Sequence, residues 1–85
     1  MNIIDLKGTT SIEELHERIK EVMCLSDLYG ENLDAFNDVL TETKGQIIIE
    51  GSEAVDEDMT EYVDRLKQVC FDAQENNPLL QIIFL

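Results

Sequence analysis

The sequence has no tryptophan, one histidine, one proline, two cysteines and only six lysines and arginines. Each scarcity narrows the functions open to it. Cys24 and Cys70 form no C-x-x-C pair and have no neighbouring histidine to make a thiolate nucleophile. They read as free thiols of an intracellular protein, each packed as a small hydrophobe. His16 falls inside a helical pattern near the edge of its apolar side, which suits a surface or half-buried structural role better than catalysis. No G-x-S-x-G, H-E-x-x-H, P-loop or G-x-G-x-x-G occurs. No apolar run approaches the ~18–20 residues that a membrane-spanning helix needs. Met1 to Leu6 is too short for a secretory h-region and carries Asp5, so the expected location is cytoplasmic. There is no internal repeat and no low-complexity linker.

What remains is compact and acidic. The 85 residues have room for one domain, taken as residues 1–85. A chain of this size buries only about 60–65% of the surface its unfolded form exposes, so the core is small. At 44% the hydrophobic content is that of a globular domain and too high for a disordered acidic tail. Nineteen Asp and Glu set against the six cations give a formal charge of −13. Such a field repels nucleic acid and anionic lipid and steers the chain towards a basic protein. It also opposes self-association, so a monomer is expected when free. The plain alternative is that the charge only keeps the chain in solution.

The hydrophobic period changes several times. Asn2 to Leu6 suits a first strand, ended by Lys7-Gly8. Thr10 or Ser11 can cap a helix over Ile12 to Met23, with Glu13 and Glu14 at its positive end and Ile12, Leu15, Ile19 and Val22 along one face. Leu25 to Gly30 breaks the period and reads as a loop. Asn32 can cap a second helix reaching about Thr43, with Leu33, Phe36 and Leu40 as its stripe. Gln46 to Glu50 holds three consecutive isoleucines, the pattern of a strand covered on both faces. Ser52 to Asp58 leads into a long third helix marked by Met59, Tyr62, Val63, Leu66, Val69, Cys70 and Ala73, and Asn76-Asn77-Pro78 ends it. Leu79 to Leu85 is a final apolar strand, expected in the protected interior of the sheet. The order β-α-α-β-α-β predicts an α/β fold: a three-stranded parallel sheet with helices packed on it.

One segment stands out chemically. Asp34 and Asp38 are four apart on the second helix, so they share a face roughly opposite Leu33, Phe36 and Leu40, with Glu31 on the same side. Like charges at this spacing weaken a helix by a few tenths of a kcal/mol, which leaves room for a purpose other than stability. A solvated face is the plain alternative. Leu28-Tyr29-Gly30 sets a leucine and a tyrosine just before the acids, and an aromatic beside a rigid acid pair is what a hot spot for a basic cleft contains. The plain alternative for Tyr29 is a ring packed under the loop with its hydroxyl on the surface. Paired carboxylates can also serve catalysis or a divalent metal, but they lie on a helix face with little chain to build a cleft. Glu53, Asp56, Glu57, Asp58 and Glu61 lack the D-x-[DN]-x-[DN]-G loop of a calcium site. No enzyme, metal or cofactor is expected.

The run YGENLDAFNDVLT from Tyr29 to Thr41 resembles the signature of the barstar family, intracellular inhibitors of secreted bacterial ribonucleases of the barnase type. The likeness covers essentially the whole chain and implies the barstar fold. It also implies that Asp34 and Asp38 enter the ribonuclease's active site, with Asp38 taking a phosphate position among its cations. Tyr29, Gly30, Asn32 and Leu33 correspond to the loop and helix start that cover the mouth of that site. Asp72, on the third helix, corresponds to a glutamate that makes a further ion pair. The chain departs from the family at Leu28 and Asn37, which stand where a stacking tyrosine and a contacting tryptophan are found, and a second contacting tryptophan is also missing. The acid mimicry is kept and much of the aromatic contact is lost. The expected partner is therefore a basic, secreted-type ribonuclease or, as an antitoxin or regulator would have, another basic protein.

Overall fold

The structure, a computed structural model, describes residues 2–85. In chain order it has β1 (Asn2–Asp5), α1 (Ile12–Val22), α2 (Leu33–Thr41), β2 (Gly45–Glu50), a 3₁₀ turn (Glu57–Met59), α3 (Thr60–Asn76) and β3 (Leu80–Phe84). The strands form one parallel sheet in the order β1-β2-β3. The expected β-α-α-β-α-β order and α/β class are therefore what the chain adopts. The caps are those expected: Ser11 Oγ accepts from Glu14 N at 3.1 Å and Asn32 Oδ1 from Ala35 N at 2.7 Å. The 3₁₀ turn before α3 is not expected from the sequence, where Glu57 and Asp58 read as part of a polar entry and Met59 as the start of the helical stripe.

Right-handed crossovers that step the same way across a sheet carry their helices to the same face. Burial follows that rule. Ile4, Ile47, Ile49, Leu80 and Ile82 are buried on one face, against Leu15, Ile19, Phe36, Leu40, Val63 and Leu66 from the helices. On the other face Ile3, Ile48 and Ile83 stand in register across the three strands; Ile3 is exposed and the other two are partly covered. The expectation that the isoleucine strand is covered on both faces is thus corrected. So is the place of the last strand: β2 is central and β3 lies at an edge.

Both edges are closed by side chains from the helices. Leu6 N–H points to Glu50 O on β2, so the Asp5 and Lys7 carbonyls point outward. There Arg18 Nη1 from α1 donates to both, at 3.0 and 2.7 Å, while its Nη2 meets Glu14 at 3.1 Å. On β3, Leu85 N–H reaches Ile49 O, so Ile82 N–H points outward and donates to Gln74 Oε1 from α3 at 2.9 Å. Unpaired edge groups invite another strand, and these two side chains occupy them. Arg18→Ala is expected to cost about 1 kcal/mol and to add concentration-dependent association, read by thermal melting and light scattering.

The turn after β2 depends on a glycine. Gly51 has φ +70°, and a Cβ there would sit 2.7 Å from Lys7 N. The close approach locks the end of β2 to the chain leaving β1. Of the two cysteines, Cys70 is buried and burial pushes its thiol up to about 12. Cys24 is exposed, just past the end of α1 in the left-handed region at φ 54°, so only one of the two packs as a core hydrophobe.

Candidate functional site

α2 is held rigidly from both ends and from beneath. Phe36 and Leu40 are fully buried, and Leu33 packs partly against the same core. At the start, the Asn32 amide both caps the helix and donates back to Gly30 O at 3.2 Å. Gly30 has little room for a side chain, since a Cβ would lie 3.2 Å from Ala35 Cβ. Glu31, at φ 51°, turns the chain into the cap. At the far end the buried Asn77 donates to the carbonyls of Leu40 at 2.9 Å and Thr43 at 2.7 Å, with Thr41 O at 3.4 Å. These are carbonyls of the last turn of α2 and of the chain leaving it. In the sequence Asn77 reads only as part of a helix stop, and no local pattern reveals that it closes a helix 36 residues away. Asn77→Ala is expected to lower stability by about 1–2 kcal/mol, with fraying at Leu40 to Thr43 visible by hydrogen exchange.

Asp34 and Asp38 lie on the exposed side of this anchored helix. Three ion pairs occur among the described residues, Glu14–Arg18, Lys20–Asp27 and Glu61–Arg65, and none takes either aspartate. Leu28, beside them, is 93% exposed, the most exposed large hydrophobic of the described residues. A shallow depression of about 280 Å³ runs between loop and helix, lined by Leu25, Leu28, Tyr29, Ala35 and Asp38 among others. The loop and helix thus bring together an apolar knob, a hollow and outward carboxylates. Asn37 is half-buried, and Asp72 sits on the exposed side of α3, where Gln68 Nε2 donates to it at 3.1 Å. Among the described residues no group of three His, Cys, Asp or Glu is arranged to hold a metal ion. No helix of the described residues is long and apolar enough to cross a membrane.

Tyr29 packs its ring under the loop, as the plain alternative has it, but its hydroxyl is not on the surface. Its ring is half-buried and its hydroxyl points inward, 2.8 Å from His16 Nδ1. His16 is fully buried, not at a surface edge, and its Nε2 lies 2.6 Å from the Tyr62 hydroxyl of α3. The helical wheel put His16 at the margin of α1's apolar arc; the neighbouring loop and α3 close over that margin. Burial lowers the imidazole from the usual 6.5 to about 4, so it is neutral at pH 7. Burial also raises both tyrosine hydroxyls.

Residues 2–83 match the family model described as Barstar (barnase inhibitor). The chain belongs to the barstar family. It is also 33% identical over 76 residues to "Putative ribonuclease inhibitor YrdF" of Bacillus subtilis (strain 168), a match covering 86% of this chain and 84% of the relative. The three-stranded parallel sheet with its helices is the fold that the Tyr29–Thr41 signature implied.

Proposed function

We propose that this barstar-family chain inhibits a basic ribonuclease by occluding its active site, with Asp34 and Asp38 standing in for RNA phosphates. The observation that carries the reading is the outward pair of carboxylates on a helix fixed by Phe36, Leu40, Asn32 and Asn77. Prepositioned carboxylates supply charge-assisted hydrogen bonds to the cations that an RNA-cleaving site keeps for phosphates. Leu28 fills an apolar corner of the partner, and Gly30, Asn32 and the rim of α2 cover the mouth. Asp72 adds a second ion pair from α3. The charge of −13 speeds encounter with such a partner, so the association rate should fall as ionic strength rises. The chain binds rather than catalyses, and it acts as a monomer in the cytoplasm, where a cell that exports a ribonuclease needs protection from internal copies.

The test is to titrate a barnase-type ribonuclease with the chain while following RNA cleavage. Loss of cleavage saturating at one chain per enzyme is the expected result. Leu28 and Asn37, in place of aromatic contacts, favour a second reading in which the same face binds another basic protein. Binding without loss of cleavage would turn the assignment to that reading.

A further inference from the structure

His16, Tyr29 and Tyr62 form a closed relay under the proposed binding loop. The ring of His16 on α1 is bonded through Nδ1 to the Tyr29 hydroxyl at 2.8 Å and through Nε2 to the Tyr62 hydroxyl at 2.6 Å. The rings also pack tilted or edge-on, with centroids 5.8 and 5.7 Å from the imidazole. Tyr29 adjoins Leu28 and Gly30, and its amide closes the loop by donating to Ser26 O at 3.0 Å. The relay thus ties the loop to α1 and to the Tyr62 end of α3.

Its hydrogen-bond arithmetic depends on protonation. A neutral imidazole has one N–H and one bare nitrogen. One tyrosine hydroxyl donates to the bare nitrogen while the other accepts from the N–H, and every position is filled. An imidazolium has two N–H groups, so both hydroxyls must accept, and the one that had been donating must turn its proton away. No compensating anion faces the ring. The titratable groups facing it are Tyr29 from the loop and Tyr62 from α3; Glu31 acts on Tyr29 and Arg65 on Tyr62. Lys20, one turn along α1, is held by Asp27 at 2.9 Å. None of the ion pairs among the described residues involves the one histidine.

We propose that His16 and Tyr62 are positioning residues for the binding loop: through the Tyr29 hydroxyl they hold Leu28 and the entry to α2 in place while the imidazole is neutral, and they release the loop when it gains a proton. The inference rests on the loop being part of the partner face, as proposed above. The neutral ring therefore keeps the loop preorganised near pH 7 and above, and acidification loosens it before the sheet gives way. Preorganisation lowers the cost of ordering a loop on binding, so the device would make partner capture weaker in acid.

The test uses the isotope-labelled chain without any partner, so its outcome is separate from whether a ribonuclease binds. Between pH 7 and pH 3 the amides of Tyr29, Gly30 and Ala35 should shift with the midpoint of the His16 ring protons, near pH 4. Exchange protection of the Tyr29 amide, corrected for the intrinsic rate, should fall about tenfold further than that of the β2 amides. Tyr29→Phe keeps the ring and removes the hydroxyl link. In that variant His16 should still titrate while the coupled loop shifts disappear. Loop amides that stay still as His16 charges would overturn the proposal. So would loop amides that lose protection only in step with β2, or coupled shifts that persist in Tyr29→Phe.

Discussion

Asp38→Ala should weaken the complex with a basic ribonuclease by about 2–5 kcal/mol, or roughly thirtyfold to a few thousandfold. That general range includes barnase–barstar charge pairs themselves. The loss comes from the partner: cations gathered for a phosphate are left buried without an anion. Glu57→Ala, at an exposed position of the 3₁₀ turn, should change affinity by no more than about twofold, as a screened surface charge does. The free protein should respond in the opposite sense. Asp34 and Asp38 repel at i, i+4 and alanine is the better helix former, so Asp38→Ala should melt at the same temperature or slightly higher. Calorimetric titration of both variants, with thermal melts of each, makes the comparison. Equal losses for Asp38→Ala and Glu57→Ala would remove the proposed site.

Acid should destabilise the fold through His16. The native imidazole is buried and neutral, with its pKa lowered from the usual 6.5 to about 4, while the unfolded chain titrates near 6.5. The unfolded state therefore binds the proton first as pH falls. This contribution is fully present above about pH 6.5, is lost progressively from there towards pH 4, and changes no further below it. At ~1.4 kcal/mol per unit the ceiling is about 3 kcal/mol, a large share of the roughly 5–15 kcal/mol that holds a domain together. Local opening around Tyr29 would let the ring charge more cheaply and reduce that figure. Carboxylate protonation below about pH 5 acts the other way by relieving repulsion in a chain of charge −13. Urea midpoints between pH 8 and pH 5 therefore isolate the histidine. They should fall steadily for the natural chain and stay nearly flat for His16→Gln, which cannot titrate. A midpoint that holds or rises from pH 8 to pH 5.5 would show that His16 is not the group responsible.

Much of this molecule is legible along the chain because its signals are local. Ser11 and Asn32 mark helix starts through bonds to residues three positions on, and the i, i+3, i+4 pattern of Leu33, Phe36 and Leu40 names the buried side of α2. From the same pattern Asp34 and Asp38 must point away from that side. The run from Tyr29 to Thr41 also carries the family likeness, and with it the proposed role of the acids. Other features depend on contacts between distant segments. Three isoleucines in β2 look alike in sequence, yet the direction of both crossovers puts all the helices on one face and leaves Ile48 only partly covered.

The order of elements, the buried stripe of each helix and the outward aspartates follow from periodicity and capping, which act within a few residues. The burial of His16 between two tyrosines, the closure of α2 by Asn77 and the plugging of the sheet edges by Arg18 and Gln74 arise only from packing between distant segments. Each of those side chains satisfies backbone or ring groups 8 to 46 residues away in the chain. Hydrogen-bond satisfaction is a requirement of the packed interior, and which distant groups meet there is fixed only when the helices settle on the sheet.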